Sequence, residues 1–130
     1  MGYESKLYVC KRIEHNGDAY NETLAAINMC KMGSEFYDLF KDDLNGDFFG
    51  MDADNIIMSD RYDEPLTYTT IDNVLNWCDG YMEHPEKYGD GIVPYWRIVV
   101  LWDMLASIVD NFTPIANDGR EQLIVVHYGY

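Results

Sequence analysis

The sequence predicts an α+β fold, with about four helices packed on one mainly antiparallel sheet, and three observations predict it. Runs rich in β-branched and aromatic residues open and close the chain beside turn clusters. Between them, apolar residues recur at helical spacing. The resulting order of strand, helix, helix, β-meander, helix, helix, strand lacks the regular alternation of a parallel sheet.

Ser5 to Glu14 reads as the first strand and stops at the turn cluster His15-Asn16-Gly17-Asp18. Asn21 is placed to cap a first helix, in which Leu24, Ile27, Cys30 and Met32 follow at helical spacing until Gly33 stops it. Ser34 precedes Phe36, Leu39 and Phe40, spaced for a second, short helix to Lys41. Between Asn45 and Tyr68, Asn45-Gly46, Gly50, Asp54-Asn55 and Asp63-Glu64-Pro65 punctuate short apolar runs, the pattern of a β-meander or a pair of hairpins. Thr70 suits the cap of a third helix, with Ile71, Val74, Leu75 and Cys78 on one face, before Gly80 and Pro85 end the region. Tyr88 to Ile92, with Gly89 and Gly91, reads as a mobile loop. Pro94 then suits the first position of a fourth helix over Tyr95 to Phe112. Its polar residues, Arg97, Asp103, Ser107 and Asp110, leave only a narrow wet stripe, which predicts the most buried element. After Asn117-Asp118-Gly119, Leu123 to Tyr128 reads as a buried strand.

The chain of 130 residues is 48% apolar and 15% aromatic, enough to fill the core of one domain over residues 1–130 and too short for two. Glu4 and Lys6 interrupt the first ten residues, and no apolar run precedes a small-residue cleavage site, so the start does not read as a secretory signal. The longest apolar stretch, Ile98 to Trp102, is far short of a membrane span. Cys10, Cys30 and Cys78 are odd in number and widely spaced, which suits reduced thiols better than a disulfide framework. The expected location is cytoplasmic.

Charge is the most informative property. The net charge of −14 argues against direct binding of nucleic acid or an anionic membrane, which needs lysine and arginine to replace counterions. The excess is local: residues 1–34 are balanced, residues 35–90 carry −12 and residues 91–130 carry −2. Asp42, Asp43, Asp47, Asp52, Asp54, Asp60, Asp63 and Glu64 fall in a stretch whose only base is Arg61. Such a strip repels itself, so it either serves solubility or has a partner. Spaced carboxylates resemble the phosphates of a nucleic acid and suit the basic groove of a protein that normally holds one. Tyr62 and Tyr68 beside the acids offer rigid contact area, or ordinary cross-strand packing.

Other chemistry finds weaker footing. Asp43-Leu44-Asn45-Gly46-Asp47 resembles the start of a calcium loop, but loop positions six and twelve hold Phe48 and Asp54 where glycine and glutamate are required. Asp52, Asp54 and Asp60 compose an alternative reading, a magnesium-type metal-binding module or metal-dependent enzyme. Cys10, Cys30, Cys78, His15, His84 and His127 include no closely spaced zinc pair. Cys10 and Cys78 lack the local signature of a nucleophile, and no phosphate-binding glycine loop occurs. His127 reads as a strand residue, and Trp77, Trp96 and Trp102 as helical core anchors. No catalytic residue and no cofactor is expected.

At Met1-Gly-Tyr-Glu-Ser-Lys-Leu-Tyr-Val and at Asp60-Arg-Tyr-Asp-Glu-Pro-Leu, followed by the helix from Thr70, the chain resembles small accessory proteins carried by phages and prophages of gut Firmicutes. The likeness covers about the first 80 residues. It implies a setting, the cytoplasm of a host bacterium, and supplies no catalytic residues. Small acidic phage proteins include anti-CRISPR inhibitors that cover nucleic-acid-binding surfaces. Together with the charge pattern, this gives the expectation of a non-enzymatic inhibitor. Its partner would be a basic nucleic-acid-binding protein, most sharply a CRISPR effector of the Cas9 type, held by the eight acids named above and by Tyr62.

Overall fold

The computed structural model describes residues 5–15, 18–30, 32, 34–44, 47–49, 65–84, 93–112 and 121–129. Its sheet grows from one long hairpin. Strand β1 (Ser5–His15) pairs antiparallel with β2 (Asp18–Cys30), from His15 opposite Asp18 to Ser5 opposite Cys30. The first predicted helix is therefore a strand. Helix-favouring residues such as Glu22, Leu24, Ala25 and Ala26 are overridden by pairing along the whole of β1, a tertiary effect that propensity does not register. Burial follows two faces of β2: Ile27 and Met29 join Leu7 and Val9 of β1, while Asn21, beyond the extra residue Leu24, meets Arg12 on the opposite face. Two register shifts leave Leu24 and Met29 as extra residues on β2, and the Met29 carbonyl accepts a hydrogen bond from Arg97 Nη1 at 3.2 Å.

On its other side β1 pairs antiparallel with β6 (Glu121–Gly129), Ser5 opposite Gly129 and Ile13 opposite Glu121. The predicted closing strand is thus present and longer at both ends. β5 (Thr67–Thr70) pairs with β6, and the two-residue β3 (Asp42–Asp43) pairs with β5. β4 (Asp47–Phe49) adds to β2 in parallel, Tyr20 to Glu22 facing Asp47 to Phe49. The strand order is β3-β5-β6-β1-β2-β4, five antiparallel strands and one parallel edge. Residues 50–64, the greater part of the expected meander, lie outside the described residues; at its two ends β4 pairs with β2, and β5 with β6 and β3.

Two long helices cover one face. Thr70 caps α2 (Ile71–Glu83) as its composition predicts, its hydroxyl accepting from Asn73 N at 3.3 Å. Gly80 does not end this helix. It lies inside it, its carbonyl accepts from His84 N, and the hydroxyl of the following Tyr81 donates to the Val93 carbonyl at 2.7 Å. α3 (Tyr95–Asn111) follows Pro94, which sits at the cap rather than the first helical position. The second predicted helix shrinks to one turn, α1 (Ser34–Tyr37), followed by bonds from Leu39 N to Phe36 O and from Phe40 N to Tyr37 O. Among the described residues there are accordingly two helices longer than one turn, against about four expected. The predicted mobile loop at Tyr88 to Ile92 lies outside the described residues.

The main core lies between sheet and helices. Leu7, Val9, Ile27, Leu123 and Val125 from the sheet meet Val74 and Cys78 of α2 and Ile98, Leu101 and Leu105 of α3. Phe36 seals one side, 5.1 Å from Trp77 and 5.3 Å from Phe40 between ring centres. The opposite sheet face carries a smaller cluster of Tyr8, Cys10, Leu66, Ile124 and Val126. No described helix is long and apolar enough to cross a membrane.

α3 departs from expectation in one respect. Only Ile98, Leu101 and Leu105 are buried, and Trp96 is 62% exposed, so neither the helix as a whole nor this tryptophan is a core anchor. The division predicts opposite responses from adjacent residues. Leu101→Ala should lower the unfolding free energy in urea by about 2–5 kcal/mol, whereas Val100→Ser should change it by less than about 0.5 kcal/mol.

Candidate protein-interaction surface

The acidic strip begins on the sheet edges. Asp42 and Asp43 form β3, both exposed, opposite Tyr68 and Thr67, and the bond from Leu44 N to Leu66 O at 2.7 Å continues the pairing. Asp47 opens β4 at the other edge, opposite Tyr20. Asp52, Asp54, Asp60, Tyr62, Asp63 and Glu64, among them the three carboxylates of the metal reading, lie outside the described residues.

Chain length brings the two edges together. In a flat sheet, five steps of about 4.8 Å would hold β3 and β4 about 24 Å apart. Only Leu44, Asn45 and Gly46 separate the two strands. The span from Asp43 to Asp47 reaches at most about 14 Å, so the sheet curls until its edges approach. Acids from opposite edges, Asp42 and Asp43 on one and Asp47 on the other, thereby share one region of the molecule. Charged edge strands also prevent pairing with other chains, a structural use of the same residues.

Inside the curl lies a residue that sequence reasoning missed. Arg12 is 1% exposed. Its Nη1 donates to Asn21 Oδ1 at 2.9 Å, its Nε donates to Glu14 Oε1 at 3.0 Å, and its guanidinium lies 5.3 Å from the centre of the Tyr68 ring. Asn21 faces Phe48 of β4, and Tyr68 faces Asp42 of β3. One guanidinium therefore touches the strands just inside both edges. The available signal was period two: Tyr8, Cys10 and Arg12 alternate along β1, and the first two are buried on the same face. Of the two tyrosines beside the acids, Tyr68 is half-buried in this contact and serves packing.

The possible nucleophiles are poorly disposed for chemistry. Burial pushes the Cys10 thiol up to about 12, partly offset by its hydrogen bond with the Thr23 hydroxyl. Burial, reinforced by Asp79, pushes Cys78 up to about 12. Both are buried free thiols. His127 is buried between the rings of Tyr37 and Phe40, at 5.3 and 5.1 Å. Among the described residues, no group of three histidine, cysteine, aspartate or glutamate side chains is arranged to hold a metal ion. No family model, no curated protein and no solved structure matches the chain.

Arg12→Ala removes a buried charged donor from Asn21 Oδ1 and should cost about 2–4 kcal/mol in urea denaturation, while Glu14→Gln, at the exposed end of the same contact, should cost less than about 1 kcal/mol. A thiol whose folded value is raised stabilises the fold below its unfolded value and loses that contribution as pH rises toward the folded one. The unfolding free energy should therefore fall between about pH 9 and 12, less steeply in a Cys10→Ala variant, and iodoacetamide at pH 8 should label Cys10 and Cys78 only after denaturation, as read by peptide mass spectrometry.

Proposed function

We propose that the protein is a non-enzymatic inhibitor, of the kind phages make in the cytoplasm of a host bacterium, that occupies a basic nucleic-acid-binding surface of a defence protein such as a CRISPR effector. The observation that carries this reading is the density of charge between Asp42 and Glu64, eight acids against one base in a chain whose first 34 residues are neutral. The approach of the two sheet edges supports it, because a phosphate mimic needs carboxylates gathered over one surface rather than spread around the molecule. Opposite net charges also speed encounter with such a target.

The test compares two triple charge reversals of equal net charge. Asp42, Asp43 and Asp47 become lysine in one variant, and Asp79, Glu83 and Asp110, acids of the helical layer, in the other. A guide-loaded, purified CRISPR effector is titrated with each, and its retention of target DNA is followed by mobility shift. The strip variant should lose at least about tenfold in inhibitory potency, the helical variant should stay near wild type, and wild-type potency should fall steeply as salt rises. Equal losses, or no inhibition of a panel of basic DNA- and RNA-binding proteins by the wild type, overturn the reading.

A further inference from the structure

The pattern of α3 and its surroundings disagree. A helix with apolar residues around most of its circumference is normally covered on all sides. α3 is such a helix, yet Trp96, Val100 and Met104, spaced i, i+4, i+8, are 62%, 46% and 39% exposed, and Tyr95 at its first turn is 51% exposed. Ile98, Leu101 and Leu105, which face the core, hold the helix in place without them. The stripe is about 12 Å long, and with Tyr95 it presents on the order of 400 Å² of apolar side chain, the size of a patch that on a monomer is often functional.

Its rim is acidic. Asp103 and Asp110 on α3 and Asp72, Asp79 and Glu83 on α2 are all exposed, and neither helix contains a lysine. The one base of the two helices, Arg97, is half-buried, donates to the Met29 carbonyl and lies 5.4 Å from the Trp96 ring centre. A second copy is a poor occupant, since pairing would juxtapose like charges across a patch smaller than the roughly 800 Å² per partner of a standard interface.

We infer that the outer stripe of α3 docks a basic amphipathic segment of a partner protein, one whose apolar residues at helical spacing meet Trp96, Val100 and Met104 while flanking lysines or arginines meet the acidic rim. This surface is separate from the sheet edges and does not depend on the nucleic-acid-mimic reading.

The probe is a synthetic eighteen-residue amphipathic peptide of leucine and lysine, compared with a scrambled peptide of equal composition, because a strongly acidic protein attracts any polycation. Binding is measured by isothermal titration and mapped by amide chemical shifts on the full chain. The ordered peptide should bind at least about tenfold more tightly than the scrambled one and shift α3 amides, and Trp96→Ala with Val100→Ser should remove that preference. Asp42→Lys with Asp43→Lys should weaken both peptides alike and keep the preference. Circular dichroism establishes that each variant is folded, and Met104→Ser replaces any variant that is not. Equal binding of the two peptides, an unchanged preference in the stripe variant, or shifts confined to the sheet edges overturn the inference. So does a dimer in sedimentation that the Trp96 variant dissolves, since the occupant would then be a second copy.

Discussion

Three residues join strands that belong at opposite edges of a six-stranded sheet, and the shape of the molecule follows from that constraint. The reach of a short extended segment is fixed by bond geometry, so the sheet bends rather than the connection stretching. β1 and β2, of eleven and thirteen residues, are the strands long enough to bend, and both register shifts of the sheet occur between them. A bulge increases local twist and turns the strand, which is the deformation a curling sheet requires. Leu24 and Met29 are in this sense structural devices, although neither side chain does anything chemically.

The curl explains why a strongly acidic chain buries a guanidinium. A cation taken out of water costs several kcal/mol unless its donors are satisfied. Arg12 meets that condition with a carboxylate at the surface end, a carboxamide inside and an aromatic face above. Asn21 of β2 and Tyr68 of β5 are among its inner contacts, from strands that a flat sheet would hold three steps apart. Arginine suits this place better than lysine because its planar fork presents donors in different directions at once. The same face is lined by Cys10, Ile124 and Val126, so the guanidinium is the polar end of an otherwise apolar cluster.

Local signals were legible in the sequence wherever a single element decides its own structure. The cap at Thr70, the apolar face of α2, the first strand and the closing strand all carry their pattern within ten or fifteen residues. β2 does not, because Leu24, Ile27 and Cys30 match helical spacing while the extra residue Leu24 breaks the strand alternation, leaving Thr23 on the face of Cys10 and Ala25 and Ile27 on the face of Val9 and Leu7. The deciding information lay one element earlier, in Asn16-Gly17, the strongest short-range hairpin signal, which favours a strand on each side. The short strands β3 and β4 are set by partners distant in sequence, and no local reading would put Asp43 and Asp47 on opposite edges. Of the acidic strip, the charge density was readable from composition, whereas the gathering of its first members was not, since it depends on the curl.

The acidic edges and the apolar stripe of α3 differ in the physics of association. Attraction between exposed charges is screened beyond about 8 Å at physiological ionic strength, so it governs how fast partners meet more than how long they stay. Burial of a tryptophan and its aliphatic neighbours has a short range, resists salt and lengthens residence once partners touch. A chain that relied on its carboxylates alone would hold any basic surface with little discrimination. Apolar side chains at fixed spacing on a rigid helix supply the shape term that charge lacks. In α3 that rigidity comes from Ile98, Leu101 and Leu105 on the core side, while Trp96, Val100 and Met104 stand beside exposed Asp103 and Asp110 on the solvent side.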